Sequence, residues 1–300
     1  MQLPKNRSFI KLANYRCPGN LLPRVGLVKE TMIADLTSLI GAQTTLESLL
    51  AFEPDALRSL AARAGHHREL SGVELLPAVL QPSKIFCVGK NSRVHREELV
   101  RENMLKEDPQ EPTGFVKLPS TMVGEGASVL RPEGITTLDY EPELAFVVSR
   151  PAHRTKRSDA HAVIGGITIL NDLTARAIQK QEVASGTKFW TAKNMPGFCP
   201  TGPFVVPIWE IADPYNLWMT CKVNGQERLR VNTNEHIFRI DQIIEHFTRW
   251  MPFEPGDVIS TGAPRGTAIS HPNADELYLK PGDVCVAGIE GVMELTTHIV

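Results

Sequence analysis

Two hydrophobic periods share this chain, and the helical one falls in its first part. "TLESLLAFEPDALRSLAARAG" places Leu46, Leu49 and Leu50, then Leu57, Leu60 and Ala61, on helical spacing, with Pro54 dividing the run into two helices. Thr45 is placed to cap the first helix and Gly65 to stop the second. Before it, "RVGLVKETMIADLTSLI" predicts two short strands around a polar turn. After it, "ELLPAVLQPSK" carries two prolines and reads as a linker. These boundaries divide the chain into an N-terminal domain at 1–76, a linker at 77–83 and a larger domain at 84–300.

The larger domain is dominated by strand signals. "KIFCVGKN" predicts a short buried strand, and "ELAFVVSR" one of continuous apolar character. "AVIGGITILNDLTARAIQK" starts as a β-branched run and turns helical after Asn171. "NLWMTCKVNGQERLR" predicts a hairpin with Asn224-Gly225 as a type I′ turn. "IFRIDQIIEHFTRW" is an amphipathic helix with Ile240, Ile243, Ile244 and Phe247 on one face. "EPGDVIS" and "KPGDVCVAG" each predict a type II Pro-Gly turn opening a hairpin. Many short strands and few helices predict an α+β, β-rich fold.

Charge and cysteine usage narrow the function classes. A formal net charge of −2 and the lack of a Lys/Arg-rich run argue against nucleic acid as a partner. No apolar stretch reaches the roughly 18 residues of a membrane span, and the first residues lack a signal-type apolar run. The five cysteines are scattered, with no C-x-x-C pair, which predicts reduced thiols and a cytoplasmic protein.

Common catalytic signatures such as G-x-S-x-G, H-E-x-x-H and the P-loop are missing. What stands out is "LDYEPEL". Glu141 and Glu143 share a strand face, roughly 6–7 Å apart by the rise per residue. Alone the pair is a weak signal, since a charged strand rim looks the same. A hard divalent cation, however, offsets the repulsion between two such carboxylates. Asp172, at the end of "GGITILND", is the third candidate ligand: with Asn171 beside it, one of the two is free of helix capping. Three carboxylates with open positions suit Mg²⁺ or Mn²⁺. Asp139 is left as a rim residue or a partner behind the ligands.

Further candidates surround these. His95 and Glu98 lie at i and i+3 of a predicted helix, where Glu can orient an imidazole that activates water; a solvated charged helix is the plain alternative. Lys193, among aromatics in "FWTAKNMPGF", can neutralise an oxyanion or a substrate carboxylate, or be a surface lysine. Thr261 and Gly262 follow a strand, where small residues let backbone amides approach a ligand or simply form a turn.

These pieces occur in an order that resembles the fumarylacetoacetate hydrolase family. The likeness runs from "KIFCVGKNSRVHREE" through "GFVKLPST", "LDYEPELAFVVSR", "IGGITILNDLTARAIQ", "KFWTAKNMPGFCPTGPFVV" and "FEPGDVISTGAPRGT" to "LKPGDVCVAGIEGV". The N-terminal region resembles that family's accessory domain more loosely. The resemblance implies a mixed β-sandwich roll core with a small N-terminal α/β accessory domain, assembled as a homodimer. It implies Mg²⁺, with Mn²⁺ or Ca²⁺ as alternatives, on Glu141, Glu143 and Asp172. It also implies a water-activating His95–Glu98 dyad on a lid helix, Lys193 in catalysis, and Gln179 and Thr261 near the substrate. The activity expected is metal-dependent hydrolysis of a carbon–carbon bond in a small β-diketo or acylpyruvate-type 2-oxo acid. Hydratase, 2-oxo acid decarboxylase and oxaloacetate-type tautomerase chemistry are the alternatives. Ser92, Ala177, "AKNMPGF" and "TGAP" depart from the family's usual residues at the lid, loop and pocket rim, and so bear on the substrate.

Overall fold

The computed structural model describes residues 9–65, 67–93, 110–187 and 189–300. Among them, twelve strands join one sheet. Its main path runs His67–Glu69, Met32–Asp35, Arg24–Lys29, Lys11–Arg16, Cys199–Pro207, Ile164–Asn171, Pro142–Val148, Val258–Ser260, Ile85–Gly89 and Thr113–Lys117. A second sheet of five strands contains Gln226–Asn232, Trp218–Val223, Val284–Ile289, Met293–Ile299 and Ala127–Val129. The fold is thus α+β and rich in strands, with few helices. No helix among the described residues is long and apolar enough to cross a membrane.

The continuous apolar character of Pro142–Val148 has a packing cause. All seven of its residues are buried. Leu144, Phe146 and Val148 enter a core shared with the five-stranded sheet and the helix Ile240–Phe247. Ala145 and Val147 enter another, shared with Leu46, Leu49, Leu57 and Leu60 of the N-terminal helices. A strand covered on both faces has no polar side to show, so its sequence does not alternate. Glu143 belongs by alternation to the Ala145/Val147 face. The double burial therefore gives the glutamate a rigid base.

The N-terminal strands extend the main sheet instead of forming one of their own: Lys11–Arg16 pairs with Cys199–Pro207 through Leu12 and Val205. In the segment 77–83, Ala78 and Val79 are buried in the core with Leu12 and Val205.

Several local expectations hold. Pro54 separates the helices Leu46–Leu50 and Pro54–Arg63, and the Thr45 hydroxyl accepts from the Ser48 amide. Asn224 and Gly225 both have positive φ, as a type I′ turn requires. Ile240, Ile243 and Ile244 are buried on one helix face.

Three expectations are corrected. Gly65 does not take the left-handed conformation of a helix stop; the chain leaves Pro54–Arg63 in extended geometry at Ala64. The turn at Gly256 does not open a hairpin. It delivers the three-residue strand Val258–Ser260 into the sheet between two distant segments, Pro142–Val148 and Ile85–Gly89. Neither Asn171 nor Asp172 caps a helix. The following helix, Arg176–Ala184, starts after a further strand pair and has Ala175 at its cap position without a side-chain bond. Both residues are free for the site.

A candidate metal centre walled by cations

Strand ends bring the three carboxylates together. Glu141 precedes Pro142–Val148, Glu143 lies within it, and Asp172 follows the neighbouring antiparallel strand Ile164–Asn171. The Asp172 amide donates to the Glu141 carbonyl at 2.9 Å, and the Glu141 amide donates to Asn171 Oδ1 at 2.9 Å. Those two bonds fix the register at which the acids meet. One carboxylate oxygen from each of Glu141, Glu143 and Asp172 lies within 4.8 Å of the others. Their residues are 3%, 2% and 0% exposed.

Three buried cations surround them. Lys193 Nζ donates to Glu141 Oε2 at 2.6 Å, to Thr174 Oγ1 at 2.8 Å and to Asp172 Oδ2. Lys117 Nζ donates to Asp172 Oδ1 at 2.6 Å and to the Lys193 carbonyl. Arg176 bridges Asp139 Oδ2 through Nε at 2.7 Å and Glu141 Oε1 through Nη2 at 2.5 Å, and its Nη1 donates to Gln179 Oε1 at 2.9 Å. Asp139 also accepts from the amides of Tyr140, Ala268 and Ile269. It is the partner that holds Arg176 in place.

Glu143 is held differently. Its Oε2 accepts from the Gly262 amide at 2.8 Å and from the Ser260 hydroxyl. Position 262 has φ +97°, and a Cβ there would stand 2.7 Å from the Val88 carbonyl, so only glycine fits. Burial, and then the charges of Asp172 and Glu141, push the Glu143 carboxyl well above the usual carboxylate range. Burial by itself would lower the Lys193 pKa, but Asp172 and Glu141 outweigh it and raise it. The two carboxylates thus favour the ammonium form of Lys193 in the metal-free site.

The residues present suit a divalent ion. Four buried carboxylates face three buried cations, an excess of one negative charge. A divalent ion on Glu141, Glu143 and Asp172 would reverse that excess and leave the site attractive to an anion. The set is all oxygen, as hard cations prefer. A cavity of about 30 Å³ opens beside the triad, lined also by Lys90, Phe115, Arg176, Gln179, Phe189 and Lys193.

Of the residues singled out in the sequence, Glu141, Glu143, Asp172, Gln179 and Lys193 meet at this cavity. Gly262 and Thr261 sit behind it. Gly262 holds Glu143, and both the amide and the hydroxyl of Thr261 donate to the Leu144 carbonyl. His95 and Glu98 lie outside the described residues. Lys117 and Arg176 are functional-site residues that the sequence reading missed. The available signals were a lysine ending the apolar run "GFVK" and an arginine opening a helix beside Gln179.

The strand-rich α+β fold thus buries, among fixed cations, three carboxylates that could hold a divalent ion. The chain belongs to the fumarylacetoacetate hydrolase family: the family model for the fumarylacetoacetate (FAA) hydrolase C-terminal domain matches residues 84–300. Oxaloacetate tautomerase YisK of Bacillus subtilis is 35% identical over 232 residues, 77% of this chain and 74% of that protein. The mitochondrial oxaloacetate tautomerase fahd-1 of Caenorhabditis elegans is 38% identical over 184 residues, 61% of this chain and 83% of that protein. Fumarylacetoacetate hydrolase from psychrophilic Exiguobacterium antarcticum superposes with a TM-score of 0.79 at 30% identity, covering 97% of this chain and 99% of that one.

Proposed function

We propose that this enzyme interconverts the keto and enol forms of a small 2-oxo dicarboxylate of the oxaloacetate type, with a divalent ion, Mg²⁺ or Mn²⁺, on Glu141, Glu143 and Asp172. The observation that carries the reading is the buried Lys193 Nζ, held between two of the three carboxylates. A divalent ion held there would supply Lewis-acid stabilisation of the enolate that this chemistry passes through.

The protein's own groups do the rest. Lys193, its three N–H groups held by Glu141, Asp172 and Thr174, places a fixed positive charge beside the oxygen on which negative charge develops, in a dry site where such a charge is worth most. Arg176 and Lys117 keep Glu141 and Asp172 in position, so no reorganisation is needed as charge shifts. Gln179 accepts from Arg176 through Oε1, which leaves its NH₂ to donate to a substrate carboxylate. A proton leaves the enol oxygen and a proton reaches the adjacent carbon, with no net gain or loss. The exchange is assigned to His95 with Glu98, the pair whose i, i+3 spacing suits an acid–base role. The naming of two relatives as oxaloacetate tautomerases supports this choice.

Carbon–carbon bond hydrolysis of an acylpyruvate-type acid is the second reading. It is favoured by the spacing of His95 and Glu98 and by the solved relative named a fumarylacetoacetate hydrolase. Both readings need the same metal centre and differ in what the base does. The test follows enol-oxaloacetate decay by absorbance and acylpyruvate cleavage by product analysis, with Mg²⁺ or with EDTA. The proposal expects metal-dependent acceleration of enol decay. Cleavage with label from water in the released carboxylate, without accelerated decay, would favour hydrolysis; neither activity with either metal overturns both.

A further inference from the structure

Phe189 has φ +51°, the left-handed region, where a bulky side chain is rarely tolerated. Such strain persists only where the surroundings enforce it, and it clusters at ligand sites. Here the enforcement is visible. The Glu182 carboxylate accepts from the Thr191 amide at 2.5 Å, tying the segment to the helix Arg176–Ala184. Asn194 donates to the Trp190 carbonyl at 2.9 Å and accepts from the Leu118 amide at 2.6 Å, tying it to the end of Thr113–Lys117. The strained turn sets the Phe189 ring edge-on to Phe115, with centroids 5.3 Å apart. Both rings line the cavity beside the carboxylates. Lys193 Nζ lies 5.1 Å from the Phe115 centroid and 5.9 Å from that of Phe189 while bonded to Glu141 and Asp172. The aromatic pair and the carboxylates therefore contact one ammonium group.

We propose that the Phe115–Phe189 pair is a specificity wall that selects short 2-oxo acids over those with an extended acyl chain. The inference rests on the reading of the site as one for 2-oxo acids. A substrate whose 2-oxo and carboxylate oxygens meet the triad and Lys193 has its far end directed into the space the two rings bound. That space is small: about 30 Å³ holds two or three water-sized groups. A compact second carboxylate fits beside Lys193 and Gln179. A straight alkyl extension must displace a ring that the pinned backbone cannot release. The strain at Phe189 is the cost of placing that ring, and the anchors Glu182 and Asn194 sustain it.

The test compares binding, by calorimetry in the presence of Mg²⁺, of oxaloacetate and of a straight-chain 2,4-dioxo acid longer by four carbons. Wild type, Phe189→Gly and Phe115→Leu are measured, with thermal melts to confirm folding. Glycine accepts the backbone conformation at 189, so this variant removes the ring without adding strain. Wild type is expected to favour the short acid at least about 10-fold, the scale on which hydrophobic pockets sort chain length. Either variant is expected to bring the ratio near unity, chiefly by tighter binding of the long acid. Equal binding by wild type, or an unchanged ratio in both variants, overturns the wall. Turnover recorded on the same samples separates the two claims: no reaction with either acid sinks the functional proposal while the binding ratio still decides this one.

Discussion

Asp172 and Glu143 face one cavity with opposite kinds of support. Asp172 stands between two lysines, Lys117 and Lys193, and its charge is balanced by the protein itself. Among the described residues, Glu143 has only neutral donors, the Gly262 amide and the Ser260 hydroxyl, and burial pushes its proton affinity up. The difference shows how a protein can gather three carboxylates without tearing the fold apart. Two are neutralised by fixed cations, and burial raises the proton affinity of the third, so a metal ion that binds it competes with a proton.

The largest effect that would break this comparison is removal of a cation-held charge. Asp172→Asn is expected to cost about 3–5 kcal/mol of stability, because it takes the carboxylate partner from buried Lys117 and leaves Lys193 with Glu141 alone. Glu143→Gln keeps an acceptor for Gly262 and breaks no ion pair among the described residues, so it is expected to leave the metal-free protein as stable as wild type or more so. Thermal unfolding without metal checks both; equal destabilisation by the two changes contradicts the account. Lys193→Ala comes next, with a loss of about 100-fold or more in turnover, the scale for removing one preorganised stabiliser of developing charge. Steady-state kinetics with Mg²⁺ checks it, and an unchanged rate removes Lys193 from the chemistry.

A smaller effect sharpens the role of the Glu143 proton. Its folded-state pKa is raised, so above the ordinary carboxylate range the native chain keeps a proton that the unfolded chain has lost. The metal-free protein thus loses stability through this group as pH rises. Metal binding displaces the proton, so the metal-induced rise in Tm should grow with pH over the same window. Melting curves with and without Mg²⁺ from acid to neutral pH read this directly, and Glu143→Gln should flatten the trend. The smallest effect is Ser260→Ala, expected to cost about 1 kcal/mol as one donor to Glu143 is lost. It should move the onset of metal stabilisation to higher pH.

The same contrast explains how far the sequence could be read. Glu141, Glu143 and Asp172 were legible because strand alternation and strand ends are local patterns. So were the split at Pro54, the Asn224-Gly225 turn and the Ile240–Phe247 face. The cations were not. Lys117 lies 55 residues from Asp172, and Arg176 lies 37 from Asp139. Their burial comes from sheet packing that no local period encodes. The residue types of the Asn171-Asp172 pair fit capping and ligation equally well. Tertiary pairing with Glu141 decided the matter. The path of Lys11–Arg16 into the main sheet is likewise a non-local pairing, made through Leu12 and Val205.

The most direct test of the metal centre is calorimetric titration of wild type and Glu143→Gln with Mn²⁺ near neutral pH, repeated in buffers of different ionisation enthalpy. The account predicts one EDTA-reversible ion per wild-type chain, with proton release on binding. It also predicts loss of saturable binding in the variant, which folds as well as wild type. No binding by wild type, or equal affinity and equal proton release in the variant, would contradict it.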